Sequence, residues 1–333
     1  MRICIIGAGA IGGLIAVRLA ASGHELTVVE RGDRLDAIRQ HGLRLLAPDA
    51  PEVKVHPRAL AEVPATGDQD LVVLAVKAHQ LAEVAPRVAP ALAPDGLILT
   101  TQNGIPWWYF MGRAGELAGR RLGNVDPGGV IADSLPVERV IGSVVYPAAE
   151  TLDRGGVRLI EGNRFCLSEI HDQRTPRVEA IAQVFTQAGF KAPVIDDIRS
   201  EIWLKLWGNM SFNPISALTG ATLAGICRHP FGRALAAQMM REAQAIAEAL
   251  GVRFRVPLEK RIAGAEAVGE HKTSMLQDVE AGRLTEIDAL LGAVLELGRL
   301  VSLPTPASEA VYACVKLLED TRQIGSGTRA ATP

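Results

Sequence analysis

Three polar side chains recur at intervals of four residues in the second half of the chain: Lys205, Asn209 and Asn213. At about 100° per residue, these positions drift by only about 80° around a helix, so they form one polar stripe among apolar neighbours. Unpaired buried polar groups cost roughly 1–3 kcal/mol each, so the stripe must meet either another helix or a ligand. Against a ligand, the lysine suits the reduction of a carbonyl group, because it can donate a proton to the oxygen or polarise it.

Ser274 and Glu286 lie in a second polar region farther along the chain. Thr285 and Asp288 have the spacing of a capping box, which predicts that Glu286 lies in the first turn of a helix. The helix dipole favours a carboxylate there, and Ser274 can cap a helix with its hydroxyl group. The pattern alone leaves a structural and a functional explanation open for both residues.

A glycine turn near the N-terminus predicts a site for the phosphates of a dinucleotide. The glycines have G-x-G-x-x-G spacing, after an apolar run over residues 2–6 and before a helical pattern over residues 10–21. In this context the first glycine permits a tight turn, the second lets a pyrophosphate approach the backbone, and the third lets helix and strand pack closely. The helix N-terminus adds free N–H groups and partial positive charge. We therefore predict cofactor contacts from Gly7, Ala8, Gly9, Ala10, Ile11 and Gly12.

Glu30 and Arg31 end the predicted second strand, where this fold holds the adenosine ribose. Glu30 can accept hydrogen bonds from both ribose hydroxyls, which favours NAD, whereas Arg31 can pair with a 2′-phosphate, which favours NADP. The two residues therefore point to different cofactors. An acidic residue at this place also favours dinucleotide binding over the alternative, a glycine-rich turn that holds no ligand.

Lys77 and Asn103 follow two further buried strands, predicted over residues 71–76 and 97–101. The carboxyl ends of the strands in a doubly wound sheet face the ligand crevice, so we expect both side chains near the cofactor. A solvated lysine at a helix start and a simple Asn-Gly turn are the structural alternatives.

The order of the elements indicates two domains and a tail. Strands alternate with helices over residues 1–196, which predicts an α/β Rossmann-type doubly wound domain that binds the dinucleotide. Residues 197–323 are helical throughout and predict an all-α domain that carries the substrate and catalytic residues. The small and polar residues of the segment 324–333 indicate a disordered tail.

Some local expectations follow from turn residues. Residues 157–161 and 164–168 have the pattern of antiparallel edge strands around a Gly-Asn turn, and residues 192–195 that of a short strand. The first helix of the second domain is expected over residues 198–213, closed by Pro214.

Composition limits the class of protein. The chain has 333 residues, 48% hydrophobic and 22% charged, with a formal net charge of −2, so it is an ordinary globular protein without the basic surface of a nucleic-acid binder. Apolar runs are too short to span a membrane, and the N-terminus is already a strand, which leaves no room for a signal peptide. The four cysteines are isolated and lack metal-ligand spacing, which predicts reduced thiols and, by default, the cytoplasm.

The chain resembles the ketopantoate reductase (2-dehydropantoate 2-reductase) family over nearly its whole length. The resemblance rests on a combination of motifs rather than on any one of them. These motifs are the glycine turn of residues 7–12, Val76-Lys77-Ala78, Gln102-Asn103-Gly104, Lys205 with Asn209 and Asn213-Pro214, Ser274-Met-Leu-Gln-Asp278, and Thr285-Glu286-Ile-Asp288. The resemblance implies NADPH-dependent reduction of a 2-oxo acid to a 2-hydroxy acid, with ketopantoate as the first substrate to try and a place in pantothenate biosynthesis.

The resemblance also implies roles for individual residues. Lys205 is then the catalytic lysine and proton donor, and Glu286 contacts the cofactor ribose or the active-site network. The substrate carboxylate and hydroxyl are held by Asn209, Asn213 and Ser274. Beyond the glycine turn, the cofactor is bordered by Glu30, Arg31, Lys77, Asn103, Ala149 and Glu286, with Asn103 near both nicotinamide and substrate. No metal is implied, and a homodimer is compatible with the sequence.

Two departures from the family pattern leave alternatives open. Glu30 stands before Arg31 where members that prefer NADPH are expected to carry a neutral residue, so NADH is the alternative cofactor. The aromatic residues 106–110 and the stretch around 119–137 are longer than expected and could border the substrate site. The alternative function is therefore reduction of a different, bulkier 2-oxo acid, and the alternative of another class is a non-catalytic protein that senses the cofactor.

Overall fold

The computed structural model describes residues 1–48 and 50–327. It divides into two compact units: the first comprises Met1–Gln102 and Trp107–Ile198, and the second comprises Asn103–Pro106 and the chain from Arg199 onward. The four-residue segment Asn103–Pro106 therefore belongs with the helical half of the chain, although it is preceded and followed by residues of the first unit.

The first unit is built from strands and short helices. Its described strands are β1 (Arg2–Ile6), β2 (Glu25–Val29), β3 (Leu43–Leu46), β4 (Val53–Val55), β5 (Arg58–Leu60), β6 (Gln69–Leu74), β7 (Leu92–Thr100), β8 (Val140–Val145), β9 (Ala148–Thr151), β10 (Gly156–Glu161) and β11 (Phe165–Glu169). Its described α-helices are α1 (Ala10–Ala21), α2 (Gly32–His41), α3 (Leu81–Val84), α4 (Val130–Ser134) and α5 (Pro176–Gln187).

The main sheet has the strand order β11-β8-β7-β6-β1-β2-β5. Its neighbours pair in parallel, except that β11 runs antiparallel to β8. The central strands are apolar runs covered on both faces, as parallel strands require: Ile3, Ile5 and Leu71 are among the fully buried residues. This arrangement confirms the α/β Rossmann-type fold class.

A second sheet, with the order β4-β3-β10-β9, packs against α1. A Cβ atom at Gly13 of α1 would lie 2.7 Å from Cγ2 of Val157 in β10, so the helix and this sheet are in close contact. The predicted antiparallel pairing of residues 157–161 with 164–168 is wrong, because β10 pairs with β9 and β3 whereas β11 pairs with β8. The turn at Gly162 instead links two different sheets.

The second unit is helical. It contains α6 (Ile198–Thr219), α7 (Leu223–Arg228), α8 (Pro230–Ala249), α9 (Leu258–Ala267), α10 (Ser274–Glu280), a π-helical turn (Asp288–Gly292), α11 (Ala293–Leu300) and α12 (Pro306–Gly327). The predicted tail of residues 324–333 begins inside α12, and residues 328–333 lie outside the described part of the chain. Among the described residues, no helix combines the length and apolarity that a membrane span needs.

Two local predictions, the end of α6 and a short strand, were wrong. Pro214 does not end α6, which continues to Thr219, because the residues around it are held by packing: Met210, Phe212 and Ile215 are all buried. The predicted strand at 192–195 forms only an isolated bridge between Val194 and Leu167.

Candidate active site

Lys205 contacts Asn103, a residue 102 positions earlier in the chain. The Lys205 ammonium group, on α6, donates a hydrogen bond from Nζ to Oδ1 of Asn103 at 2.5 Å. Both side chains are half-buried and belong to the helical unit. Two residues that the sequence analysis proposed separately are therefore in direct contact.

The π-helical turn holds the segment that carries Asn103. A π-turn offsets the regular hydrogen-bond ladder of the helix and frees a backbone group for another partner. Here the carbonyl oxygen of Ala289 accepts a hydrogen bond from the Ile105 N–H at 3.0 Å. Gly104 has a φ of +90°, and a Cβ atom there would lie 2.2 Å from the same carbonyl oxygen. The close approach that positions Asn103 is thus open to glycine alone.

The electrostatic surroundings of Lys205 make it a suitable acid near neutral pH. Burial lowers the pKa of its ammonium group to about 8, and the negative charge of Glu286 opposes that decrease. A lysine in water has a pKa near 10.4 and gives up its proton poorly at neutral pH. A lower pKa makes the ammonium group a stronger acid, so that it transfers its proton more readily. Most of the group is still protonated at pH 7.

Glu286 lies on a segment that is hydrogen-bonded to the last helix, α12. Thr285 donates hydrogen bonds from its backbone N–H and its hydroxyl group to Oε1 of Glu319 on α12, at 2.9 and 2.7 Å. Oδ1 of Asp288 accepts a hydrogen bond from the Tyr312 hydroxyl at 2.6 Å. The predicted capping box of Thr285 with Asp288 is therefore wrong, because both side chains bond to α12. These contacts fix the backbone on both sides of Glu286.

Asn209 and Asn213 continue the polar stripe of α6, as the spacing predicts. Asn213 is 6% exposed and Asn209 is half-buried. Within residues 1–48 and 50–327, neither side-chain amide has a hydrogen-bond partner. The structural alternative of helix–helix hydrogen bonding therefore receives no support, and the amides remain available to a ligand.

Ser274 is the first residue of α10, and its side chain is exposed. The helix is capped by the preceding residue, since the Thr273 hydroxyl accepts a hydrogen bond from the Leu276 N–H at 3.2 Å. The proposed structural role of Ser274 as the cap is therefore wrong.

The glycines of the turn differ in whether the fold itself requires them. Gly7 has a φ of +92°, and a Cβ atom at Gly12 would lie 1.8 Å from the Gly7 carbonyl oxygen, so the protein itself requires both glycines. Apart from Gly9 itself and its two chain neighbours, no described residue has an atom within 4 Å of a Cβ built at Gly9. The fold does not require glycine at this position, which fits the predicted approach of a pyrophosphate to the backbone.

Glu30 and Arg31 are both engaged by neighbouring groups. The Glu30 carboxylate accepts hydrogen bonds from the Ala8 N–H at 2.9 Å and from the Arg31 N–H at 3.0 Å. The Arg31 guanidinium forms an ion pair with Glu83 on α3. Arg34, which the sequence analysis missed, donates from Nε to the Ala8 carbonyl oxygen at 2.6 Å and so holds the other side of the turn.

Four more of the predicted cofactor residues, Lys77, Ala10, Ile11 and Ala149, also lie in the first unit. Lys77 follows β6, and its N–H donates a hydrogen bond to Oε1 of Gln80 at 3.2 Å. Ala10 and Ile11 open α1, and Ala149 lies in β9, a strand that contacts α1.

The aromatic residues of the segment 106–110 are buried. Its four aromatic side chains, from Trp107 to Phe110, are buried in the first unit, each at most 8% exposed. The Trp108 indole donates a hydrogen bond to the Thr100 hydroxyl at 3.1 Å. The cluster belongs to the interior of the α/β unit.

Arg261, on α9, is a second residue that the sequence analysis missed. A Cβ atom at Gly208 would lie 2.2 Å from Nη2 of Arg261, so the guanidinium group lies directly against α6. Gly208 is three residues after Lys205 and therefore close to the same helix face. A glycine inside a helix costs about 1 kcal/mol relative to alanine. Gly208 inside a predicted helix was therefore the available sign in the sequence that another group packs closely there.

Family models and known proteins match this chain over most of its length. The family model described as ketopantoate reductase PanE/ApbA matches residues 3–170, and the model for its C-terminal domain matches residues 197–319. A 2-dehydropantoate 2-reductase from Mesorhizobium japonicum is 55% identical, over 96% of this chain and 98% of that protein. A second one, from Pyrococcus horikoshii, is 29% identical over 99% and 100%.

Solved structures give the same result. A candidate ketopantoate reductase from Ralstonia solanacearum is 41% identical, with a TM-score of 0.91 over 97% of this chain and 98% of that one. The chain therefore belongs to the ketopantoate reductase family of NAD(P)-dependent oxidoreductases.

Proposed function

We propose that this protein reduces 2-dehydropantoate to pantoate with NADPH and that Lys205 is the proton donor. The observation that carries the proposal is the contact of Lys205 with Asn103, in surroundings that lower the lysine pKa to about 8. The 55% identity to a 2-dehydropantoate 2-reductase supports this choice of substrate.

Lys205 supplies the proton of the reaction. NADPH, when bound, supplies a hydride from C4 of the nicotinamide ring to C2 of the oxo acid. As negative charge develops on the substrate oxygen, the Lys205 ammonium group stabilises it and transfers a proton to it. Asn103 accepts a hydrogen bond from Nζ and so orients the ammonium group before substrate binds.

Asn209, Asn213 and Ser274 bind the substrate. The two asparagine amides follow Lys205 along α6, and amide N–H groups are suitable donors to a carboxylate. Their lack of hydrogen bonds to other described side chains supports this role, because a buried amide such as that of Asn213 otherwise carries the cost of desolvation. The Arg261 guanidinium, next to Gly208, adds positive charge for an anionic substrate.

The glycine turn binds the cofactor pyrophosphate and Arg31 binds the 2′-phosphate. The open space at Gly9 and the N-terminus of α1 support the first assignment. The exposed Arg31 side chain supports the second, together with the Glu30 carboxylate, which is turned towards the Ala8 N–H. Lys77, Asn103, Ala149 and Glu286 complete the proposed cofactor contacts.

A substrate panel with both cofactors tests the proposal. We expect 2-dehydropantoate with NADPH to give a kcat/KM at least tenfold above that of any other pair. The panel includes pyruvate, 2-oxoisovalerate and an aromatic 2-oxo acid. A higher kcat/KM with the aromatic acid would reject the substrate proposal in favour of the bulkier alternative, and absence of all turnover with intact cofactor binding would favour a cofactor sensor.

The variant Lys205→Ala tests the proton donor. We expect kcat to fall by at least about 10²-fold, as is typical for loss of a general acid, with a change in NADPH affinity of less than threefold. A variant that keeps most of its turnover would exclude Lys205 as the donor.

A further inference from the structure

Glu83 is an acidic residue beside the position proposed for the 2′-phosphate, and no role has been assigned to it so far. Arg31 follows β2, and Glu83 lies in α3, which follows β6. Because β2 and β6 flank β1 in parallel, their carboxyl ends meet at the same edge of the sheet. That edge is where this fold binds a dinucleotide.

At this edge of the sheet, a phosphate would meet negative as well as positive charge. The Arg31 guanidinium has the Glu83 carboxylate as its ion-pair partner, and the Glu30 carboxylate accepts a hydrogen bond from the Arg31 backbone N–H. A phosphate monoester such as the 2′-phosphate carries between one and two negative charges near neutral pH. NADPH must therefore compete with Glu83 for Arg31, whereas NADH leaves the ion pair in place.

We propose that Glu83 is a specificity-determining residue that weakens NADPH binding relative to NADH by occupying Arg31. The proposal rests on the dinucleotide site of the proposed function and adds a residue that adjusts its preference. Arg31 supplies the attraction for the phosphate, Glu83 reduces it, and the ratio of the two cofactor affinities reflects both.

The ion pair is accessible to experiment because it is exposed. The side chains of Arg31 and Glu83 are 54% and 61% exposed, and exposed pairs contribute little to stability. Removing the carboxylate is therefore expected to leave the fold intact. Unit charges a few ångströms apart in water change an affinity by about five- to tenfold.

The test measures dissociation constants of the full-length protein for NADPH and NADH, from the fluorescence of the reduced nicotinamide. For Glu83→Gln we expect the Kd for NADPH to fall about five- to tenfold and the Kd for NADH to change less than twofold. Glu179→Gln is the matched control, since Glu179 forms a similarly exposed ion pair with Arg174 at 2.9 Å. An unchanged NADPH-to-NADH ratio in Glu83→Gln would overturn the proposal.

The variant Arg31→Ala shows whether Glu83 acts through Arg31. In that background, Glu83→Gln is expected to change NADPH affinity less than twofold, and a full effect without Arg31 would overturn the mechanism. Binding of neither dinucleotide by the wild type would reject both the cofactor assignment and the role of Glu83. Binding of both cofactors without reduction of any 2-oxo acid would reject the proposed function alone.

Discussion

Lys205 is subject to two opposing electrostatic effects, and their balance sets the pH range in which it can donate a proton. Burial favours the neutral amine, while the Glu286 carboxylate favours the ammonium form. The proposed reaction requires the ammonium form, so activity depends on the lysine pKa of about 8 rather than on the value near 10.4 of a solvated lysine.

We therefore predict that kcat/KM for 2-oxo acid reduction falls as pH rises through about 8. In Glu286→Gln the negative charge is lost, the ammonium form becomes less favourable, and the descending limb moves to lower pH. Profiles of kcat/KM from pH 6 to 10 measure this, with the exposed Glu248→Gln as the control. A limb that stays in place in Glu286→Gln would contradict the coupling of the two residues.

At the scale of single residues, residue types and their spacing predicted part of the candidate site. The stripe of Lys205, Asn209 and Asn213 was predicted because its period follows from helix geometry alone. Arg34 and Arg261 were not predicted, because each acts on a backbone segment distant in sequence: Arg34 on Ala8, and Arg261 on α6 at Gly208. Spacing within one element says nothing about such contacts.

The π-helical turn is the element that brings Asn103 to Lys205. Its Ala289 carbonyl oxygen holds the Ile105 N–H, and the backbone at Gly104 passes within contact distance of the same oxygen. Since effective proton transfer needs donor and acceptor in a narrow range of geometries, a displacement of about 1 Å here is expected to slow the reaction strongly.

Gly104→Ala tests this element. The added methyl group would meet the Ala289 carbonyl and displace Asn103 from Lys205, so we predict that kcat falls about 10- to 100-fold. Gly251→Ala is the control: its φ is +84°, close to the +90° of Gly104, but a Cβ there meets no described atom within 4 Å beyond its two chain neighbours. Both variants should lose stability, as seen in thermal unfolding, but the control should keep its kcat. Equal kcat values in the two variants would show that the contact has no positioning role.

Most helices and buried strands were predictable from the sequence because their periodicity is local. The π-turn was not predictable, since it depends on partners outside its own segment, Ile105 in the connecting loop and Tyr312 on α12. The end of α6 was misjudged for the same reason: packing around Pro214 outweighs the local preference to stop there.

At the scale of the whole molecule, the order of the elements predicted the parallel main sheet but not the small one. The small sheet joins β3 to β10 across more than 100 residues, and only short strands with little patterning take part. Pairing over such a distance is decided by how α1 covers both sheets, which no local pattern encodes.

An ion pair with a buried carboxylate makes the stability of the folded chain depend on pH. The Glu169 carboxylate, at the end of β11, is fully buried and accepts two hydrogen bonds from Arg177, both at 2.7 Å. Burial alone would raise the pKa of Glu169, but the hydrogen bonds from Arg177 and Thr175 outweigh it and hold the pKa below its usual value. A carboxylate with a lowered pKa stabilises the folded state above its unfolded pKa, and this contribution disappears as pH falls through the folded value.

We predict that Glu169→Gln lowers the free energy of unfolding by about 2 kcal/mol at pH 7, because a charged hydrogen-bond network becomes neutral. The difference from wild type should begin to shrink as pH falls below the ordinary glutamate pKa of about 4.3, because the unfolded chain then binds a proton that the folded carboxylate, with its lowered pKa, does not. Urea unfolding followed by circular dichroism at several pH values measures it. The exposed pair removed by Glu179→Gln should cost less than about 0.5 kcal/mol throughout, since surface ion pairs contribute little. A penalty for Glu169→Gln that is the same at pH 7 and pH 3 would mean that lost packing, rather than the charge of Glu169, is what stabilises this corner of the fold.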